Sequence, residues 1–329
     1  MNNLDIKCDI CSKNIENVWT INKGIAPNCY SKLPDNYSIS SQKIFFCENC
    51  QTLSNHHNFS LGDLFSDYVY RTPNTHMDEE IVKCLSAHIK KNSIKKIVEV
   101  AGNNGIFAQK LIDDLDTKDI DITIVDKVKL VVNDTRIHHI DAFIDSKNIS
   151  ILKDINPDLV IVRHALAHNS SIKTFFRDII EILNPKKIYI ENASLFSTFD
   201  KKDYSQLYSE HFYQVSPVSI SNLANQFGYK VSNINNFKIH NGSFGIFLEK
   251  GKILDINNSY PISSDNLKNS IDEWANESKE FWTNIALQNK KIVIWGCSAK
   301  FLFTYSALQL YKIKQISFIV DSTIEKQGL

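Results

Sequence analysis

Residues 98–105 read Val98-Glu99-Val100-Ala101-Gly102-Asn103-Asn104-Gly105. The apolar run Ile97 to Val100 has the length and β-branched content of a buried strand. It ends in a turn holding two glycines, and a helical pattern follows with Phe107, Leu111 and Ile112 on one face. Strand, glycine turn and helix in that order predict the first unit of an open α/β sheet.

The flanking sequence repeats the alternation. A helix is predicted over about 78–91, with Ile81, Val82, Leu85 and Ile89 at helical spacing. Ile122 to Asp126, Leu159 to Val162 and Ile188 to Glu191 read as further strands, with a helix from Phe175 to Leu183 between the last two. Short connections between strand and helix favour a parallel, Rossmann-like sheet with helices on both faces. From Gly251 a second unit begins: an amphipathic helix over about 267–289, a strand from Lys291 to Trp295, Gly296, a helix over about 299–310, and a strand Ile316 to Val320 ending at Asp321. Two strands do not make a stable sheet unaided, so this unit reads as cut short at Leu329 or completed by other parts of the chain. The expected division is a module over 1–65, a central domain over 66–250 and an incomplete nucleotide-binding-like α/β domain over 251–329.

Composition bounds what these domains do. Lys+Arg and Asp+Glu both number 37, so net charge gives no case for nucleic-acid or membrane binding. No apolar run is long enough for a transmembrane helix, and the N-terminus lacks the order of a signal peptide, so a cytoplasmic location is expected. Of seven cysteines, Cys8 and Cys11 form one C-x-x-C pair and Cys47 and Cys50 another. Two such pairs supply four thiolates to one tetrahedral ion, and zinc suits four sulfurs. The set leaves no open coordination position, so the ion is expected to be structural. Residues 1–60 otherwise read as loop-rich, with Gly24, Pro27, Pro34 and many Asn and Ser.

The turn at 102–105 is shorter than a dinucleotide fingerprint, and no phosphate-cradling lysine follows. It suits S-adenosylmethionine (SAM), whose amino-acid end must approach the backbone closely at Gly102 and take N–H groups from the helix start. Glu99 is placed to order the turn, and Asp126, ending the next strand, to accept from the ribose hydroxyls. Asp141-Ala142-Phe143 falls where a strand end would border the adenine. The cofactor set is therefore Glu99, Gly102, Asn104, Gly105 and Asp126. For chemistry, Arg163-His164-Ala165-Leu166-Ala167-His168 follows a strand, so His164 or His168 can face a site beyond the carboxyl edge of the sheet. Tyr208-Ser209-Glu210-His211 offers an acid/base cluster. The remaining histidines, His56 and His57 among them, read as ordinary.

As an ordered set these residues resemble the SAM-dependent C-methyltransferases that act on nucleotide-linked keto-deoxysugars. The likeness runs over nearly the whole chain: the four cysteines, Tyr68-Val69-Tyr70, Glu99 to Gly105, Arg163 to His168, Tyr208 to His211, His240-Asn241-Gly242-Ser243, Gly296 to Lys300 and Lys326 to Gly328. The resemblance implies a base that removes the proton beside the sugar's keto group, and an enolate that takes the methyl group of SAM. Carried over by motif, His211 is the base, with Glu210 and Tyr208 beside it, and His168 with Tyr68 or Tyr70 serves the enolate oxygen. The partner implied is a nucleotide-sugar. The chain departs from the family pattern at Ser209 for a His, Asn104 for an Asp, Asn241 for a Gly, Gly245 near a usual basic residue, and the stop at Leu329. Two alternatives follow: a SAM methyltransferase with an oxygen or nitrogen acceptor, or a non-catalytic SAM-binding relative.

Overall fold

The computed structural model describes residues 6–27, 39–60, 64, 76–251, 261–288 and 290–322. Strands are β1 (Glu16–Ile25), β2 (Ile39–Cys47), β3 (Thr52–His56), β4 (Lys96–Val100), β5 (Asp121–Val125), β6 (Ile137–Ile140), β7 (Leu159–Arg163), β8 (Lys187–Ala193), β9 (Tyr213–Gln214), β10 (Tyr229–Phe237), β11 (Ser243–Lys250), β12 (Ile292–Trp295) and β13 (Ile316–Val320). Helices are α1 (Glu79–Lys91), α2 (Ile106–Leu115), α3 (Ile149–Leu152), α4 (Ile172–Leu183), α5 (Leu195–Asp200), α6 (Pro217–Asn225), α7 (Ser264–Leu287) and α8 (Ala299–Ala307).

The central sheet has the order β10-β11-β8-β7-β4-β5-β6. Pairs β4–β5, β4–β7, β5–β6 and β7–β8 are parallel. The hairpin β10–β11 adds to the edge of β8 in antiparallel sense. Side chains alternate between two cores, as the strand period requires. Val98, Val100, Val160 and Val162 face one core with Phe176 and Ile179 of α4 and Ile220 of α6. Ile97, Ile122, Leu159 and Ile161 face the other with Leu85 of α1 and Phe107 and Leu111 of α2. The Rossmann-like sheet expected from the sequence is present, widened by an antiparallel hairpin that the sequence did not suggest.

Residues 1–60 are less loop-rich than their composition reads. β1, β2 and β3 form an antiparallel sheet. Two features hide them. β1 carries register shifts between Asn17 and Trp19 and between Ile21 and Gly24, which break its period of two. β2 points Ser40 and Gln42 inward, where alternation would call for apolar residues. The sheet's fourth strand, β9, comes from residues 213–214, so the N-terminal sheet is built from both sides of residue 65. Its other face packs on the C-terminal region: Trp19 meets Trp274 and Phe303 edge-on at 5.8 and 5.7 Å.

In that region β12 and β13 form a parallel pair, as expected of a second strand–glycine–helix–strand unit. The backbone N–H of Cys297 donates to Asp321 at 2.6 Å. No helix among the described residues is long and apolar enough to cross a membrane.

Candidate active site and metal centre

Parallel pairing places the ends of β4, β5 and β7 on one rim, with Val100 opposite both Val125 and Val162. The glycine turn, Asp126 and the segment from His164 to His168 therefore project from the same carboxyl edge, where open α/β sheets bind ligands.

The turn is wound tightly. Ala101, Asn103 and Gly105 all have positive φ, at 56°, 52° and 84°. Gly105 is the position that needs to be glycine: a Cβ there would also lie 2.8 Å from Val132. At Gly102 a Cβ would sit 3.0 Å from both the Glu99 carboxylate and Ile124, so Glu99 lies directly beneath the turn. Asp126 braces the turn from the neighbouring strand, accepting from Asn103 N–H at 2.8 Å and Val128 N–H at 2.7 Å. Asn104 is buried, and its side chain accepts from Ile106 N–H at 3.4 Å. Burial raises the Glu99 carboxyl to about 8; Asp126 adds to this, and the nearby Arg163 opposes it.

Below the rim lies a buried charge network. Arg163 donates to Glu191 at 2.6 Å and to Asp78 at 3.0 Å, and its guanidinium lies 3.5 Å from the Phe107 ring centroid. His164 Nε2 sits 3.0 Å from the second oxygen of Glu191. Glu191 is fully buried, which by itself would raise its pKa, but Arg163 and His164 more than offset this and hold it at about 2.

Beyond β7 the histidines gather. The rings of His168 and His211 meet edge-on at 4.9 Å, and those of His164 and His240 at 4.5 Å. His211 Nδ1 lies 2.9 Å from the Gln206 carbonyl, which can only accept, so Nδ1 carries the hydrogen. Nε2 then holds the lone pair, and the Tyr208 hydroxyl donates to it at 2.9 Å. Burial pushes the His211 pKa well below the ordinary value, with His168 adding to the shift. Burial, with the charge of His164, lowers His168 to about 4. Both rings are neutral at neutral pH.

The structure thus brings together His168, Tyr208 and His211. Glu210 is buried at 2% exposure, and its backbone hydrogen-bonds His168. Tyr68 and Tyr70 lie outside the described residues. His57, read from sequence as ordinary, proves to hold this segment: its Nε2 lies 2.8 Å from the Ser209 carbonyl, and its ring packs on Phe212 at 5.0 Å. Asn55 works beside it, donating to the carbonyls of Leu207 and Tyr208 at 3.1 and 3.4 Å. Both residues are near β3, 150 residues away in sequence, so only the pairing of β3 with β9 reveals them.

The four patterned cysteines converge as the spacing predicts. The sulfurs of Cys8, Cys11, Cys47 and Cys50 all lie within 4.8 Å of one another. A tetrahedral site with zinc–sulfur bonds of about 2.3 Å places its sulfurs about 3.8 Å apart. Cys11 and Cys47 are at 3.6 Å, and the donor set is all thiol, so the residues fit such an ion.

No family model and no curated protein matches this chain. Solved structures similar to it include the magnesium protoporphyrin IX methyltransferase of Synechocystis PCC 6803 with bound SAH, at 10% identity and a TM-score of 0.40 over 53% of this chain and 83% of that one. An O-methyltransferase family protein from Burkholderia thailandensis is similar at 11% identity and TM-score 0.40, over 54% of this chain and 57% of that one. The methyltransferase domain of bacterial CtHen1 is similar at 13% identity and TM-score 0.40, over 53% and 99%. These similarities are distant, and the functional reading rests on the site itself.

Proposed function

We propose that this chain is a SAM-dependent methyltransferase that methylates the carbon beside the keto group of a nucleotide-linked keto-deoxysugar, with a structural zinc ion in its N-terminal sheet. The observation that carries the reading is the shared rim: a glycine turn braced by Asp126 and the segment ending in His168 follow neighbouring parallel strands, and His211 with Tyr208 packs against His168.

In this reading Gly102, Asn104 and Gly105 shape the backbone around the amino-acid end of SAM, Glu99 lies under its ammonium, and Asp126 takes the ribose hydroxyls. SAM supplies an electrophilic methyl group on its sulfonium. His211 is set up as the base. Its Nδ1 hydrogen is committed to the Gln206 carbonyl, so the lone pair stays on Nε2, where Tyr208 now donates. A substrate carbon that displaces the Tyr208 hydroxyl passes its proton to Nε2. His168, beside His211, lines the space in which the enolate oxygen forms. Such an acceptor fits a site rich in neutral imidazoles, because a carbon acid needs a positioned base where an oxygen or nitrogen nucleophile needs less. The zinc ion supplies folding energy and joins no chemical step.

The experiment is incubation of the zinc-loaded protein with methyl-13C SAM and a panel of nucleotide-linked keto-deoxysugars, read by NMR. A labelled methyl on the carbon next to the carbonyl is the expected product. Label on oxygen or nitrogen, or none with any acceptor while SAM binds, would overturn the carbon-methylation reading.

A further inference from the structure

We propose that Asp9, inside the Cys8–Cys11 knuckle, is a positioning residue that couples the metal site to the His168–His211 pair; its catalytic consequence rests on the function proposed above.

Asp9 lies between two metal-ligand cysteines, yet its carboxylate turns toward the central domain. One oxygen accepts from Lys173 N–H at 3.0 Å, from the Ser171 hydroxyl at 3.1 Å and from the Tyr213 hydroxyl at 3.4 Å. Ser171 is the N-cap of α4 and itself accepts from Thr174 N–H at 3.1 Å, so its own hydrogen is free for Asp9. An anion at this point also complements the positive end of a helix of 12 residues. Tyr213 is buried, and its hydroxyl lies 3.2 Å from the Ser170 carbonyl as well.

These bonds join two arms. One runs from His168 to Ser171, the other from His211 to Tyr213. Between them Phe212 N–H donates to the Ala167 carbonyl at 2.8 Å. Asp9 closes the far end of the same clamp, three residues from His168 and two from His211 along the respective arms. The knuckle is fixed in turn by Gln226, which donates to the Ile10 carbonyl at 2.8 Å, and by burial of Ile10 at 1% exposure. A metal site with no open coordination position thereby reaches the proton-handling groups through one carboxylate. The separation of the two imidazoles is what it sets, and displacements of this kind away from the chemistry cost rate rather than binding.

The test uses the full zinc-loaded chain, as wild type, Asp9→Asn and Tyr213→Phe, with 15N-labelled imidazoles followed by NMR. In both variants zinc content stays at one per chain, the SAM dissociation constant stays within about twofold, the ring resonances of His168 and His211 move, and those of His139, on the rim by Asp126, stay in place. Turnover falls roughly tenfold with the KM for SAM unchanged. Tyr213→Phe deletes one hydroxyl, so it carries the test if Asp9→Asn does not fold. Unmoved His168 and His211 resonances, or a shift shared equally by His139, would overturn the proposal. The NMR arm needs no methyl acceptor: a protein that shows these shifts without methyl transfer refutes the proposed reaction, and one that methylates without them refutes the clamp.

Discussion

The Tyr208 hydroxyl donates to His211 Nε2 across 2.9 Å, because the opposite ring nitrogen is already spent on the Gln206 carbonyl. One backbone carbonyl thus selects the tautomer, and the tautomer decides which nitrogen can take a proton. His211→Ala is therefore expected to lower the rate of methyl transfer by about 10²–10⁴-fold, the range for a general base, and to leave SAM affinity within about twofold. Tyr208→Phe leaves the base in place and is expected to cost roughly tenfold. Single-turnover rates with parallel calorimetric titration check both. Equal rates for wild type and His211→Ala would remove His211 from the mechanism.

Glu99 gives a stability signature of its own. Its folded pKa, about 8, lies above the ordinary 4.5. A carboxyl raised in this way contributes its full stability below pH 4.5 and loses it as pH rises toward 8, where the unfolded chain is ionised and the folded one is not. Glu99→Gln removes the ionisation while keeping the shape. Thermal unfolding should show the variant equal to wild type near pH 4 and more stable at pH 8, by about 4 kcal/mol. A variant less stable at pH 8 would show that the carboxylate is ionised and held in the fold.

The histidines act in the opposite direction. His168 sits at about 4 and His211 well below 6.5, both chiefly through burial. The folded state keeps these rings neutral while the unfolded chain takes up protons below pH 6.5, so stability falls as pH drops from 6.5 toward 4. A double His168→Gln, His211→Gln variant should flatten this limb, by about 2–3 kcal/mol per pH unit for the two rings together. An unchanged acid limb would assign it to other groups.

Much of the fold was legible because its strongest signals are local. The run Ile97 to Val100, the glycine turn and the apolar face of α2 announce themselves within a few residues. The C-x-x-C pairs likewise carry their meaning in their spacing, and the sulfurs do converge. What escaped was non-local or locally disguised. β10 contains three asparagines and half-exposed positions, so it reads as loop until its pairing with β11 is seen. β9 has two residues and exists as a strand through Leu53 and Ser54. His57 and Asn55 matter because that pairing sets them against the carbonyls of 207–209, which no window of sequence contains. The sequence named His168 and His211 but not the distance between them.

Metal removal tests the structural role assigned to the cysteines. Cys8, Cys47 and Cys50 are buried in the same core as Val162 and Phe176 of the central domain. Chelation is therefore expected to destabilise more than the N-terminal sheet: the apparent Tm should fall by at least about 5 °C, and amide protection should be lost in β3 and β9 together. Zinc should restore both. Protection unchanged in the metal-free chain would show that the four sulfurs hold no structural ion.

The central claim is that the rim at Gly102 to Gly105 and Asp126 binds SAM, and isothermal titration of the zinc-loaded protein with SAM tests it most directly. One saturable site with micromolar affinity, abolished by Gly105→Val, is the expected result, since a side chain at that position meets Val132 and a backbone φ of 84°. Absence of saturable binding up to millimolar SAM, or equal affinity in Gly105→Val, would contradict it.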